Sequence, residues 1–310
     1  MELTSLGGGV HVLRGTVNSG LVETERGLVA IDTGLDRGAA NRIARAAEEL
    51  GRPLVAILNT HAHADHHGGN AQLVRRFGIP VYAPAIEEAT IRHPRLEPVY
   101  LFGGAEPVSG LANKFLQAEP SPVDHVVHAG ESVTVDGRVL SLVDLAGHSM
   151  AQIGVGVDLD TAQGVLFAAD AFFGSEPLAK HGVPYLVDAR GMQNSLRRLQ
   201  SHPAAWYVPG HGEPENDARN PVFAENFAAL ERAFDWLGER VRRAPGSTEE
   251  LLVEFAAAMG MRLDNPSSWV LNRAALLGFL AAMEREGTVR VVLEEGRWHW
   301  AQGEARTGGP

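Results

Sequence analysis

The stretch His61-Ala62-His63-Ala64-Asp65-His66-His67-Gly68-Gly69 constrains this chain more than any other part of it. It comes just after an apolar run, Leu54-Val55-Ala56-Ile57-Leu58, which reads as a buried strand. The cluster therefore occupies the loop leaving a sheet edge. His61 and His63 are two apart and point the same way from an extended chain. Asp65 and His66 follow where the chain must turn, and Gly68-Gly69 lets the backbone turn tightly into a helix. Imidazoles interleaved with a carboxylate at this spacing form a donor set for a divalent metal. A lone histidine would say far less, being most often a surface or satisfied core residue.

Further donors are expected at other strand ends. Val143-Asp144-Leu145-Ala146-Gly147-His148-Ser149 puts His148 just beyond a β-rich run, and Gly164-Val165-Leu166-Phe167-Ala168-Ala169-Asp170 ends an apolar strand on Asp170. Trp206-Tyr207-Val208-Pro209-Gly210-His211-Gly212 places His211 in a turn after another short apolar run. Strand C-termini are where open sheets build their sites. Read singly, His148 and His211 are turn histidines and Asp170 is a helix N-cap; the first cluster makes them candidate ligands. His67 reads as a neighbour in the turn. His11, His93, His125, His128, His181, His202 and His299 lack this context and read as ordinary.

In this order the motifs H-x-H-x-D-H-x-G-G, G-H-S, a strand-closing Asp and P-G-H-G resemble the metallo-β-lactamase-fold hydrolase superfamily, over roughly residues 8 to 215. The resemblance implies one metal held by His61, His63 and His148 and a second held by Asp65, His66 and His211, with Asp170 bridging. Where the family usually has P-G-H before the middle ligand, this chain has Ala146-Gly147-His148. The lost proline removes some turn rigidity but no ligand. Such a binuclear site activates water by lowering its pKa from about 15.7 toward about 7. A metal-bridging hydroxide would then attack a carbonyl carbon or phosphorus, with Asp65 as the catalytic residue that orients the nucleophile or carries its proton. Mixed imidazole and carboxylate donors suit two divalent ions, zinc first, with iron or manganese as alternatives.

The chain has 310 residues and a net charge of −11. An acidic surface opposes sequence-independent nucleic-acid binding, which needs cationic side chains, and favours a small-molecule substrate. No cysteine is present, which excludes a cysteine nucleophile and fits a cytoplasmic protein. No apolar run is long enough to span a membrane, and the start shows no basic-then-apolar export signal. Oligomeric state is not legible.

Val10 to Val17 and Leu21 to Asp32 read as strands, the second carrying a turn at Glu25-Arg26-Gly27. Asp32-Thr33-Gly34 ends at the edge of the metal loop, and its expected role is to support the ligands by hydrogen bonds. Arg37 to Leu50 is a helix with Ile43, Ala46, Ala47 and Leu50 on one face. A helix to about Phe77 and a strand Ile79 to Tyr82 follow. In the second half, Ser132 to Val135 and Arg138 to Asp144 pair around Asp136-Gly137, and Gln152 to Asp158 and Val165 to Ala169 add strands. The pattern alone gives a mixed α/β chain; the resemblance implies an α+β, four-layer αββα sandwich. Residues 84 to 130 read as a long irregular segment, a lid or substrate wall, with Tyr100, Phe102 and Phe115 either lining a pocket or packing the loop down. Phe172 to Tyr185 is a second candidate wall.

From about Ala218 a long helix presents Phe223, Phe227, Leu230, Phe234, Leu237 and Val241 at helical spacing, a packing face. The expected division is a catalytic domain over 1–243 and a C-terminal module over 244–310. Helices followed by the strands Val289 to Leu293 and Arg297 to Trp300 resemble a winged-helix module. Six arginines and nine acidic residues follow Pro245, a net of −3, so this module reads as a packing or substrate-rim element.

The expected function is hydrolysis of a small ester, thioester, lactone or phosphoester. Thioesterase relatives act on hydroxyacyl-glutathione. Lactonase relatives place a tyrosine three residues after the bridging aspartate, where this chain has Phe173. Two other classes stay open: a mononuclear iron, persulfide dioxygenase-like oxidoreductase on His61, His148 and Asp170, and an RNA-cleaving nuclease.

Overall fold

The computed structural model describes residues 2–216 and 221–303. Seven strands in chain order build the first sheet: β1 (Leu3–Gly7), β2 (Val10–Leu13), β3 (Ser19–Glu23), β4 (Leu28–Ile31), β5 (Leu54–Leu58), β6 (Val81–Pro84) and β7 (His125–Val127). The first four pair antiparallel; from β4 onward the pairing is parallel. The parallel half needs crossover chains, which supply α1 (Arg37–Glu49), α2 (Ala64–His67), α3 (Asn70–Phe77), α4 (Glu87–Arg92) and α5 (Leu96–Leu101). The second sheet has the order β12-β11-β10-β9-β8, from β8 (Ser132–Val135), β9 (Arg138–Asp144), β10 (Ile153–Val157), β11 (Val165–Ala169) and β12 (Trp206–Pro209). Between its last two strands run α6 (Ser175–His181) and α7 (Ala189–Ser201).

Residue alternation explains the layers. Along β4, Leu28 and Ala30 point into one core with Ala40, Ile43 and Ala47 of α1, while Val29 and Ile31 point into another. That second core is shared with Leu140, Leu142, Val165 and Phe167, so it lies between the two sheets. The opposite face of β11, through Leu166 and Ala168, joins a third core with Met192, Leu196 and Leu199 of α7. Period-two strands buried on both faces therefore stack helix, sheet, sheet and helix. This is the α+β, four-layer sandwich that the resemblance implied.

The Asp136-Gly137 hairpin and the long helix form as expected. The helix start expected near Ala218 lies outside the described residues; α8 runs over Pro221–Arg243 and buries Phe223, Leu230, Phe234, Leu237 and Val241. The chain continues through α9 (Thr248–Met259), α10 (Pro266–Arg285) and a ribbon of β13 (Val289–Glu294) and β14 (Arg297–Gln302). Phe255, Phe279 and Trp300 of this part belong to the same core as Leu196 and Phe223. Among the described residues no helix is long and apolar enough to cross a membrane.

Two local expectations are corrected. Residues 84 to 130 are not structureless: they hold α4, α5, a short turn of 3-10 helix at Ser109–Leu111 and β7. Helices of six residues are too short to show an apolar period. The strand expected over Val10 to Val17 stops at Leu13, and an edge strand, Leu3–Gly7, precedes it.

Candidate metal centre

The loop after β5 is held from behind by Asp32 at the end of β4. Asp32 sits in the left-handed region (φ 55°) and accepts hydrogen bonds from Thr60 N at 2.8 Å and Thr60 Oγ1 at 2.7 Å. Its Oδ2 also lies 2.8 Å from His66 Nδ1. Beneath the loop a buried polar chain, Thr33 to Asn70 to Asn59, ends with Asn59 donating to the His66 carbonyl at 3.1 Å. Gly68 and Gly69 serve this packing rather than a left-handed turn, since their φ values are −62° and −85°. A Cβ there would stand 2.0 Å from Leu35 O or 2.4 Å from Thr33 O.

Three groups of donors converge, each with its ligand atoms within 4.8 Å of one another: His61, His63 and His148; His61, His66 and Asp170; Asp65, His66 and His211. Every residue singled out from the sequence as a candidate ligand lies in this one place. The carboxylate of Asp170 reaches both halves. Its Oδ2 is 3.3 Å from His148 Nε2 and 3.4 Å from His211 Nε2, and its Oδ1 is 3.3 Å from His66 Nε2. His67 is buried but stands outside all three groups.

The outer hydrogen bonds fix which nitrogen of His61, His66, His148 and His211 faces the cluster. Carbonyl oxygens of Tyr185 and Thr16 lie 2.8 Å from Nδ1 of His148 and His211, so both rings donate outward and turn Nε2 inward. The Asp32 carboxylate does the same for His66. Thr60 Oγ1 gives its proton to Asp32 and so accepts from His61 Nδ1 at 3.1 Å. His63 Nδ1 then lies 3.0 Å from His61 Nε2 and 2.9 Å from His148 Nε2. One nitrogen carries at most one proton, so at most one of these two contacts is a hydrogen bond, and the other sets two nitrogens together with no proton between them unless a cation lies there. His66 Nε2 and Asp170 Oδ1 lie 3.3 Å apart, and among the described residues both are buried without a well-formed hydrogen bond, a condition a bound cation relieves. The donor set fits divalent metal ions.

Charge is divided across the cluster. Burial holds His61 and His148 below the usual imidazole range and His63 down at about 3, the neutral form a ligand needs. Burial also opposes charge on His66 and His211. There the carboxylates override it: Asp170, Asp32 and Asp65 raise His66 well above its usual value, and Asp170 and Asp65 raise His211 to about 10. These carboxylates lie where positive charge is stabilised.

Two supports had no sequence signal of their own. Glu87 of α4, buried, ties both ligand loops together: Oε2 accepts from Ala62 N at 3.0 Å, and Oε1 accepts from Ser149 Oγ and Ala151 N at 2.8 Å each. Asn18 donates to Pro209 O at 2.9 Å and Gly212 O at 2.8 Å, fixing the His211 turn. Only their spacing from distant loops makes them useful, which a linear reading cannot supply.

The donors open into a cavity of about 960 Å³. Its walls come from Asp65 and His211, from Phe173 to Tyr185, from Phe115, and from Met261 to Asn272 of the C-terminal part. Of the three aromatics at 100 to 115, Phe115 lines the cavity, Tyr100 packs against Leu101, Leu111 and Val270, and Phe102 does neither. Phe173 stacks on His211 with ring centroids 5.7 Å apart.

Residues 12–211 match the model of the Metallo-beta-lactamase superfamily. The chain belongs to that superfamily. It is a metal-dependent hydrolase. The chain is similar to the hydroxyacylglutathione hydrolase of Methylobacillus flagellatus, 26% identical over 249 residues that make up 78% of this chain and 82% of that protein. It is similar also to that of Xanthomonas campestris pv. campestris, 29% identical over 272 residues, 85% of this chain and 88% of that one. In fold it resembles a solved beta-lactamase domain protein from Burkholderia ambifaria, with a TM-score of 0.75 at 17% identity over 97% of this chain and 94% of that one. A metallo-beta-lactamase family protein from Thermus thermophilus gives 0.73 at 20% identity, over 96% and 100%.

Proposed function

We propose that the chain is a binuclear hydrolase of small acyl thioesters. The observation that carries this reading is the convergence of inward-facing imidazole nitrogens on two points that share the Asp170 carboxylate. His61, His63 and His148 would hold one ion and Asp65, His66 and His211 the other, with Asp170 common to both. Zinc suits these borderline donors. When bound, the ions supply an activated water and polarise the oxygen of the electrophile.

The protein's own groups do the rest. Asp65 is half-buried, faces the cavity, and has Oδ2 3.4 Å from His211 Nε2. It is placed to hold the attacking water in line and to take its proton. Phe173, Leu178 and Val183 give an apolar wall that seats an acyl chain and excludes bulk water. The thioester reading over an ester, lactone or phosphoester is supported by similarity to hydroxyacylglutathione hydrolases along most of the chain. Phe173, where a tyrosine would serve a lactonase, supports it too.

Residues 244–310 are proposed as a winged-helix-like module that serves as the substrate rim of the catalytic domain over 1–243. Supporting this, Met261 to Asn272 form one side of the cavity, and the module's negative charge opposes RNA.

Metal analysis of the purified protein together with a panel of thioesters, lactones, phosphodiesters and RNA tests the reading. Two zinc ions per chain and thioester turnover are expected. A single iron with oxygen uptake would replace the hydrolase with an oxygenase.

A further inference from the structure

Glu97 of α5 is a carboxyl group without a partner. It is only 3% exposed, yet it borders the cavity. Among the described residues no hydrogen bond or ion pair reaches its side chain. An isolated buried carboxylate is unfavourable, and among the described residues nothing uses this one: it caps no helix and joins no loops, unlike Glu87.

Its surroundings point to what it meets. Burial drives Glu97 well above the usual carboxylate range, and Asp65 and Glu87 add negative field. The Tyr185 hydroxyl lines the same cavity and feels the Glu97 charge; among the described residues it is buried without a well-formed hydrogen bond, although Tyr100 is near. The Tyr185 ring lies 5.3 Å from His63 and 5.5 Å from His148, so this corner adjoins the metal donors. Of the cationic groups that line the cavity, Lys180 and Arg262 are on exposed positions, Arg262 pairs with Asp264, and His211 faces Asp65 and Asp170.

We propose that Glu97, with the Tyr185 hydroxyl and ring, forms a subsite for a primary ammonium group that the substrate carries next to its scissile carbonyl. An arriving ammonium supplies the compensating charge, holds Glu97 ionised, donates to both oxygens, and packs on an aromatic face that favours cations. The inference rests on the hydrolase reading and narrows its substrate class to aminoacyl compounds.

Three thioesters of N-acetylcysteamine test it, because alanyl, lactoyl and isobutyryl groups are nearly isosteric and differ in ammonium, hydroxyl and methyl. With the zinc-loaded protein, kcat/KM for alanyl over isobutyryl should be roughly tenfold or more, the equivalent of one charge-assisted hydrogen bond. Glu97→Gln, which keeps shape and removes charge, should bring the ratio near one while isobutyryl turnover persists. Glu97→Asp should fall between. Calorimetric binding of alanine, lactate and isobutyrate gives a second reading of the same preference. Equal treatment of the three acyl groups, a preference for lactoyl, or a ratio untouched by Glu97→Gln would overturn the proposal. Should no thioester be turned over, the thioesterase reading falls, and the three affinities still decide the subsite.

Discussion

Asp32 stands directly behind His66, with 2.8 Å between Oδ2 and Nδ1, and the same carboxylate accepts from Thr60 N and Oγ1. It orients two rings at once, His66 directly and His61 through the Thr60 hydroxyl. Asp32→Asn keeps a residue that tolerates the left-handed backbone but places an amide donor where an acceptor is needed. Metal affinity should fall about 10- to 100-fold, as for other partners of metal-bound histidines. Chelator competition measures it, and an unchanged affinity would remove Asp32 from the site.

Gly210 leaves room for Asp170. A Cβ on residue 210 would stand 2.0 Å from Asp170 Oδ1 and 2.8 Å from His66 Cε1. Gly210→Ala should displace the shared carboxylate and abolish both metal retention and turnover, while far-UV circular dichroism stays near wild type. Full metal content in this variant contradicts the assignment of Asp170 to both halves.

Glu87 holds Ala62 and Ala151 through their backbone N–H groups. Glu87→Ala strands buried donors, each costing about 1–3 kcal/mol, so the urea midpoint should drop clearly and kcat with it. Glu87→Gln keeps an acceptor and should recover much of the stability. A midpoint equal to wild type in the alanine variant would show the loops are fixed otherwise.

His61→Ala and Asp170→Ala should each abolish turnover while sparing the fold, since both side chains face the metal donors rather than an apolar core. Unchanged turnover would remove them from the site.

Asp136 offers a pH test away from the site. Hydrogen bonds from Thr24 Oγ1, Arg26 N and the Arg26 side chain hold its carboxyl at about 2. A carboxyl depressed on folding stabilises fully above its unfolded value of about 3.9. The contribution is lost as pH falls through about 2. The stability gap between wild type and Asp136→Asn should thus be constant near neutrality and close between about pH 4 and 2. A gap that widens on acidification has the wrong sign.

Much of the site was legible because metal ligation is written in residue types and short spacings. His61, His63, Asp65 and His66 share one loop, and His148, Asp170 and His211 each follow a strand. The strands on either side of Asp136-Gly137 and helix α1 were equally plain, since their apolar periods are long enough to count. The short helices α4 and α5 were not, and with them Glu87 and Glu97 went unnoticed: a glutamate in a polar stretch reads as solvated surface.

The amino-acid order by itself determined which atoms could bind metal, because imidazole and carboxylate chemistry is local to each side chain. Only the tertiary structure decided how those atoms are used. Packing two sheets face to face brings strand ends from 61 to 211 to one edge. It turns four imidazoles inward by occupying their outer nitrogens, and it buries the Glu97 carboxyl with no hydrogen-bond or ion-pair partner among the described residues. Those properties belong to distances between remote segments, and a linear chain carries them only through the fold it adopts.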